Sequence, residues 1–87
     1  LHYLKIFNMK DPCDLYKSQR KRAKEVLDLL EKQRNEVNIK LESNVSCAHL
    51  HKELRTLNMD IRITLNEIEH AEYNIQECES QTNSSLN

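Results

Sequence analysis

Cys47-Ala48-His49-Leu50-His51-Lys52-Glu53-Leu54-Arg55-Thr56-Leu57-Asn58-Met59-Asp60-Ile61 opens the stretch whose reading decides the fold. Its core positions recur at alternating steps of three and four, and the pattern runs on to Cys78. With Cys47 at heptad position a, the seam reads Cys47, Leu50, Leu54, Leu57, Ile61, Thr64, Ile68, Ala71, Ile75 and Cys78, without one charged residue. Ile at a beside Leu at d, clearest at Ile61 and Leu57, is the two-stranded preference. This spacing turns one face of a helix toward a partner, so residues 47–79 are expected to pack as a regular coiled coil.

Carried backward, the same frame places Lys40, Ser43, Gln33 and Glu36 in the seam. The first half instead follows Ala23, Val26, Leu30 and Val37, with Leu27, Leu29, Leu41 and Val45 broadening the stripe. Steps from Val26 through Leu30, Arg34, Val37, Leu41 and Val45 to Ala48 resemble an eleven-residue repeat, which locally unwinds a supercoil. The phase changes at Ser43-Asn44-Val45-Ser46, where Ser and Asn are turn and N-cap residue types. That break is either a stutter in one rod or the bend of a hairpin. The missing glycine counts against a tight bend, although Asn44 is the usual substitute in a left-handed C-cap.

Composition agrees with helix. The 87 residues contain no Gly and one Pro, aromatics are 5% and charged residues 31%. Sheets and tight turns draw on residues that tolerate positive φ, and a long helix needs none. Asp11-Pro12-Cys13-Asp14 reads as a helix start, with Asp11 at N-cap, Pro12 at N1 and Asp14 at N3. The expected fold class is therefore all-α. A long coiled-coil helix of 66 residues, about 100 Å at 1.5 Å per residue, is the first expectation. An antiparallel helical hairpin that assembles into a bundle is the alternative. The boundaries expected are a short apolar N-terminal helix (1–10), a basic first half (11–42), the break (43–46), the regular acidic half (47–79) and a disordered tail (80–87). In the N-terminal piece Leu1, Leu4 and Phe7 (or Met9) are expected to line one face. Without an initiator Met, the chain is expected to be a segment of a larger protein.

The net charge of −1 hides a polarity. Residues 1–40 hold ten Lys/Arg against six Asp/Glu, a balance of +4; residues 41–87 hold three against eight, a balance of −5. If the chain folds back near residue 44, position i faces about 89 − i, and Lys17, Arg20, Lys21, Arg22 and Lys24 lie opposite Glu67, Glu69 and Glu72. A parallel dimer would set Glu67 against Glu72 with no basic compensation. Each exposed pair is worth well under ~1 kcal/mol, so charge favours antiparallel pairing without fixing it.

Candidate sites are sparse. Lys17, Arg20, Lys21, Arg22 and Lys24 form a possible basic docking patch. Such a run before an apolar repeat suggests a basic region crossing DNA, but the Asn-x-x-Ala-Ala pattern of that family is absent. Cys47 and His51 lie one helical turn apart, yet nothing completes a four-ligand zinc set, and no metal or cofactor is expected. No nucleophile–base arrangement and no glycine-rich phosphate loop occurs, so no enzymatic activity is expected. Ser80-Gln81-Thr82 resembles the Thr-Gln-Thr core of peptides that add a strand to the dynein light chain hub, although Cys78 and Glu79 stand where that motif has an upstream Lys. Met59, Ile63 and Leu65 lie outside the seam and widen the apolar face, which anticipates a third or fourth helix.

Cys13, Cys47 and Cys78 form no CxxC pair, which is read as reduced thiols and a cytoplasmic or nuclear setting. Two Asn-x-Ser triplets, at Asn44 and Asn83, are then accidental. The function expected is that of a coiled-coil oligomerisation or scaffold segment of cytoskeletal, centrosomal or kinetochore type. Its partner is a second copy or another coiled-coil protein, along the seam named above with Val26, Leu30 and Val37. The alternatives are a nucleic-acid-binding dimer and an adaptor helix for a heterologous protein.

Overall fold

The computed structural model describes residues 12–86, with side chains through Gln81. The short N-terminal helix expected over residues 1–10 lies outside them. Among the described residues there are two helices and no strand: α1, Asp14–Ser43, and α2, Ala48–Leu86. They pack along each other as an antiparallel hairpin about 61 Å long, close to the ~58 Å that 39 helical residues should span. The chain thus takes the hairpin of the alternative architecture and turns back where the unbroken rod would continue.

The reversal needs four residues. Asn44 ends α1 at φ −135°, ψ 64°, and its N–H bonds to the carbonyls of Leu41 and Lys40. A 3.1 Å bond from the Cys47 N–H to the Asn44 carbonyl closes a β-turn with Val45 and Ser46 at its centre. Asn44 therefore has a negative φ and does not take the left-handed region expected of it. At Asn44, the residue that ends α1, the chain does not call on the steric freedom only glycine has. His51 braces the bend from α2, with 2.7 Å between its Nε2 and the Val45 carbonyl. An oxygen acceptor there requires the proton on Nε2.

At the opposite end α1 starts at Asp14, two residues later than the expected start at Pro12, with Cys13 at the N-cap and no side-chain cap. Asp14 still sets a negative charge in the first turn, where the helix dipole favours it. The Cys13 side chain is committed elsewhere, in a disulfide to Cys78 with a Cα–Cα distance of 5.7 Å. The reduced state expected for these two cysteines is thus corrected. Their partnership is invisible in linear spacing, because 65 residues separate them. It arises once the hairpin brings the first turn of α1 beside the last heptad of the seam.

That covalent link defines a register in which position i faces 91 − i, two residues from the expected 89 − i. Applied along the seam, it sets Tyr16 with Ile75, Ala23 with Ile68, Leu27 with Thr64, Leu30 with Ile61, Val37 with Leu54 and Leu41 with Leu50. All twelve are buried or half-buried. The ten seam positions expected on α2 are likewise buried or half-buried without exception. Val37, Leu50 and Leu57 form the central cluster, with Leu30, Leu41, Cys47 and Leu54 packed on it. Thr64 is the buried polar member, and its Oγ1 donates a 2.8 Å bond to the Asp60 carbonyl, so no polar atom is stranded there.

On α1 the seam differs from expectation. Its inward residues are Cys13, Tyr16, Arg20, Ala23, Leu27, Leu30, Arg34, Val37 and Leu41, a strict heptad and not an eleven-residue repeat. Val26, expected in the seam, is 42% exposed. Two arginines, Arg20 and Arg34, hold seam positions half-buried, which long side chains with apolar stems tolerate. Arg34 Nη1 donates to Asn58 Oδ1 at 3.1 Å. Helix also continues past Ser80 to Leu86, where a disordered tail was expected, since neither Gly nor Pro interrupts it.

Two outcomes test this packing. Leu57→Ala should lower the free energy of unfolding by about 2–5 kcal/mol in denaturant melts followed by circular dichroism. Reducing Cys13–Cys78, which closes a loop of 65 residues, should cost up to ~4 kcal/mol by loop-closure entropy. It should appear as a lower melting midpoint in dithiothreitol, absent in a Cys13→Ser, Cys78→Ser variant.

Candidate functional site

The two flanks of the seam are chemically unlike. One carries the ion pairs. Lys17 Nζ lies 3.1 Å from Glu79 Oε2, and Lys24 Nζ lies 3.9 Å from Glu72 Oε2. Both join e positions across the hairpin and both are substantially exposed, so solvent screens them heavily. Arg34 and Asn58 meet on this flank nearer the turn.

The other flank is an open groove of about 670 Å³. From α1 it is lined by Leu15, Gln19, Arg22 and Val26, and from α2 by Ile63, Glu67, His70 and Asn74. Leu15 is 55% exposed and Ile63 48%. Leu29, also exposed, stands at the same heptad position as Leu15 and Arg22, nearer the turn. An apolar floor flanked by one cation and one carboxylate is the usual make-up of a helix-packing surface with a polar rim. Ile63 belongs here, whereas Met59 lies on the outer surface of α2 and Leu65 on the ion-pair flank; all three are exposed.

The five cations of the basic run go to different faces. Lys17 and Lys24 are in the ion pairs, Arg20 is half-buried in the seam, Arg22 lines the groove, and Lys21 is exposed on the outer side. Of the expected acidic partners, Glu72 meets Lys24, Glu67 lines the groove with Arg22, and Glu69 is exposed. The helix does not gather its basic residues on one side, because five charges within eight residues wrap more than two turns. Cys47 is half-buried beside the turn as a free thiol, with His49 and His51 exposed. Ser80 and Gln81 are helical, so they do not present the extended backbone that strand addition requires.

Sequence reasoning missed the groove because its α1 wall depends on the α1 frame. Once Leu27 takes the seam, Leu15 and Val26 are released to the flank. The signal that could have found it is the spacing of Leu15, Arg22 and Leu29, which recur every seven residues outside the seam.

No helix among the described residues is long and apolar enough to cross a membrane. The chain matches no family model, no curated protein and no solved structure.

Replacing Lys17 and Lys24 together by Glu should reduce stability by less than ~2 kcal/mol at low salt, under ~1 kcal/mol for each pair. The deficit should shrink toward zero in 1 M NaCl, where the screening length falls to about 3 Å. A loss that persists in high salt would mean the pairs are more desolvated than their exposure implies.

Proposed function

We propose that this chain is a helical-hairpin association module in which two copies pack groove to groove as a four-helix bundle. The observation that carries this reading is the division of apolar surface. The seam is consumed inside the chain, yet Leu15, Val26, Leu29 and Ile63 remain exposed along one flank. The expected self-association therefore moves from the seam to the groove.

Charge favours a second copy as the occupant. A two-fold axis parallel to the hairpin sets α1 of one copy over α2 of the other. Arg22 then faces Glu67 and His70 across the interface, and the basic first turns of α1 lie above the acidic half of α2. A perpendicular axis would instead oppose α1 to α1 and repel. Complementary charge of this kind selects orientation, while the apolar floor supplies most of the affinity.

The alternatives gain less support. The scattering of Lys17, Arg20, Lys21, Arg22 and Lys24 over several faces weighs against a continuous nucleic-acid footprint. The cytoplasmic or nuclear setting rested on three reduced thiols. The Cys13–Cys78 bond instead favours an oxidising compartment, where disulfides persist. An extracytoplasmic association module is accordingly the reading adopted over a cytoskeletal, centrosomal or kinetochore scaffold.

Sedimentation equilibrium tests the assembly. The native chain should dimerise. Ile63→Asp removes two apolar side chains per dimer, about 3 kcal/mol or more, and should weaken association at least ~100-fold while helicity persists. Arg22→Glu should weaken it and Arg22→Glu with Glu67→Arg restore it. A chain that stays monomeric at high concentration overturns the proposal.

A further inference from the structure

We propose that Asn44 is an N-glycosylation acceptor, so that the tip of the hairpin carries a glycan. Two independent observations carry this. The first is position. Asn44-Val45-Ser46 satisfies the Asn-x-Ser requirement with a residue other than Pro in the middle. The structure puts the whole triplet in the interhelical turn, with all three residues exposed and Val45 70% so. The Asn44 carboxamide Nδ2 is 3.5 Å from the Lys40 carbonyl, the outer limit of a hydrogen bond, so little is lost when that nitrogen is substituted. The tip is also remote from the groove and from the ion pairs, so a bulky, hydrated chain there displaces no packed side chain.

The second is redox state. Oligosaccharide transfer to Asn takes place in the lumen where disulfides are made, and the Cys13–Cys78 bond is the mark of such a compartment. The inference rests on that reading of the compartment and not on dimerisation. The other triplet, Asn83-Ser84-Ser85, lies within α2. Only the Asn44 triplet occupies a turn.

The co-reactant is a lipid-diphosphate-linked oligosaccharide. The Asn44 carboxamide nitrogen attacks C1 of its first sugar, and an N–C1 bond forms as the C1–O bond to diphosphate breaks. The bonding electrons leave with the lipid diphosphate, the amide proton passes to a base of the transferase, and no oxidant or reductant enters.

The test expresses the full chain, with Asn83→Gln to silence the second triplet, behind a cleavable secretion signal in a eukaryotic cell. Mass is read before and after peptide N-glycosidase, on lysate and medium together so that poor secretion does not hide the product. One glycan is expected, lost in Asn44→Gln and equally in Ser46→Ala, the latter leaving Asn44 itself intact. Absence of an enzyme-sensitive mass in the Asn83→Gln chain, or its persistence after Asn44→Gln, overturns the assignment. Alkylation of thiols in the same samples reports on the compartment reading separately: free Cys13 and Cys78 would sink that reading, while the glycan mass still decides the acceptor.

Discussion

The antiparallel register of the seam is the constraint from which the other features follow. It is pinned at both ends. The turn, closed by the Cys47–Asn44 bond, sets where α2 begins, and the Cys13–Cys78 bond fixes which residues meet at the far end. Between the pins, the 91 − i rule sets small against large: Ala23 with Ile68, and Ala71 with Arg20. Nearer the turn, medium-sized residues meet, as in Leu30 with Ile61 and Leu41 with Leu50. Facing sizes that compensate keep two helices at one separation over many turns. A slip of one heptad would preserve the apolar pattern, but it would separate the cysteines and open the turn.

The contributions are unequal. A fully buried Leu or Ile contributes roughly 1.5–3 kcal/mol before entropy is subtracted, and the seam holds Leu50, Leu57, Ile61, Ile68 and Ile75 with little exposure. The staple adds up to ~4 kcal/mol by restricting the unfolded chain. Lys17–Glu79 and Lys24–Glu72 add little, because each is open to water. Apolar packing therefore decides that the helices pair, the turn and staple decide the register, and charge discriminates against parallel pairing. The ion pairs record the direction chosen more than they enforce it.

This ordering explains what could be read in advance. The α2 seam was legible residue by residue because its core positions bear no charge, so hydrophobic period and burial coincide. The α1 seam was not, because Arg20 interrupts the apolar run and Val26, not Leu27, was joined to Leu30 and Arg34 as the inward residue. The eleven-residue repeat was the consequence of starting that stripe at Val26. The bend was legible as a change of phase that left stutter and bend both open, since the usual marker of a bend is glycine and Asn44 turns the chain without a positive φ. The disulfide was the least legible feature: a register of 89 − i sets Cys13 against Gln76, and a shift of two residues creates the bond.

A two-helix unit has no enclosed core, since each helix leaves at least half its circumference in water, and small scaffolds of this kind need a staple or a partner. This chain has the first in Cys13–Cys78 and offers a surface for the second in the groove. The two are coupled through Leu15, which lies two residues from Cys13 and lines the groove. With the staple closed, the first turn of α1 is held against α2 and the Leu15 end of the groove keeps its shape. With it open, that turn loses its covalent tie to α2 at a helix end with no side-chain cap. Oxidation thus does more than stabilise the hairpin. It preorganises the face on which a second copy would dock, and a preformed face binds more tightly than one ordered on contact.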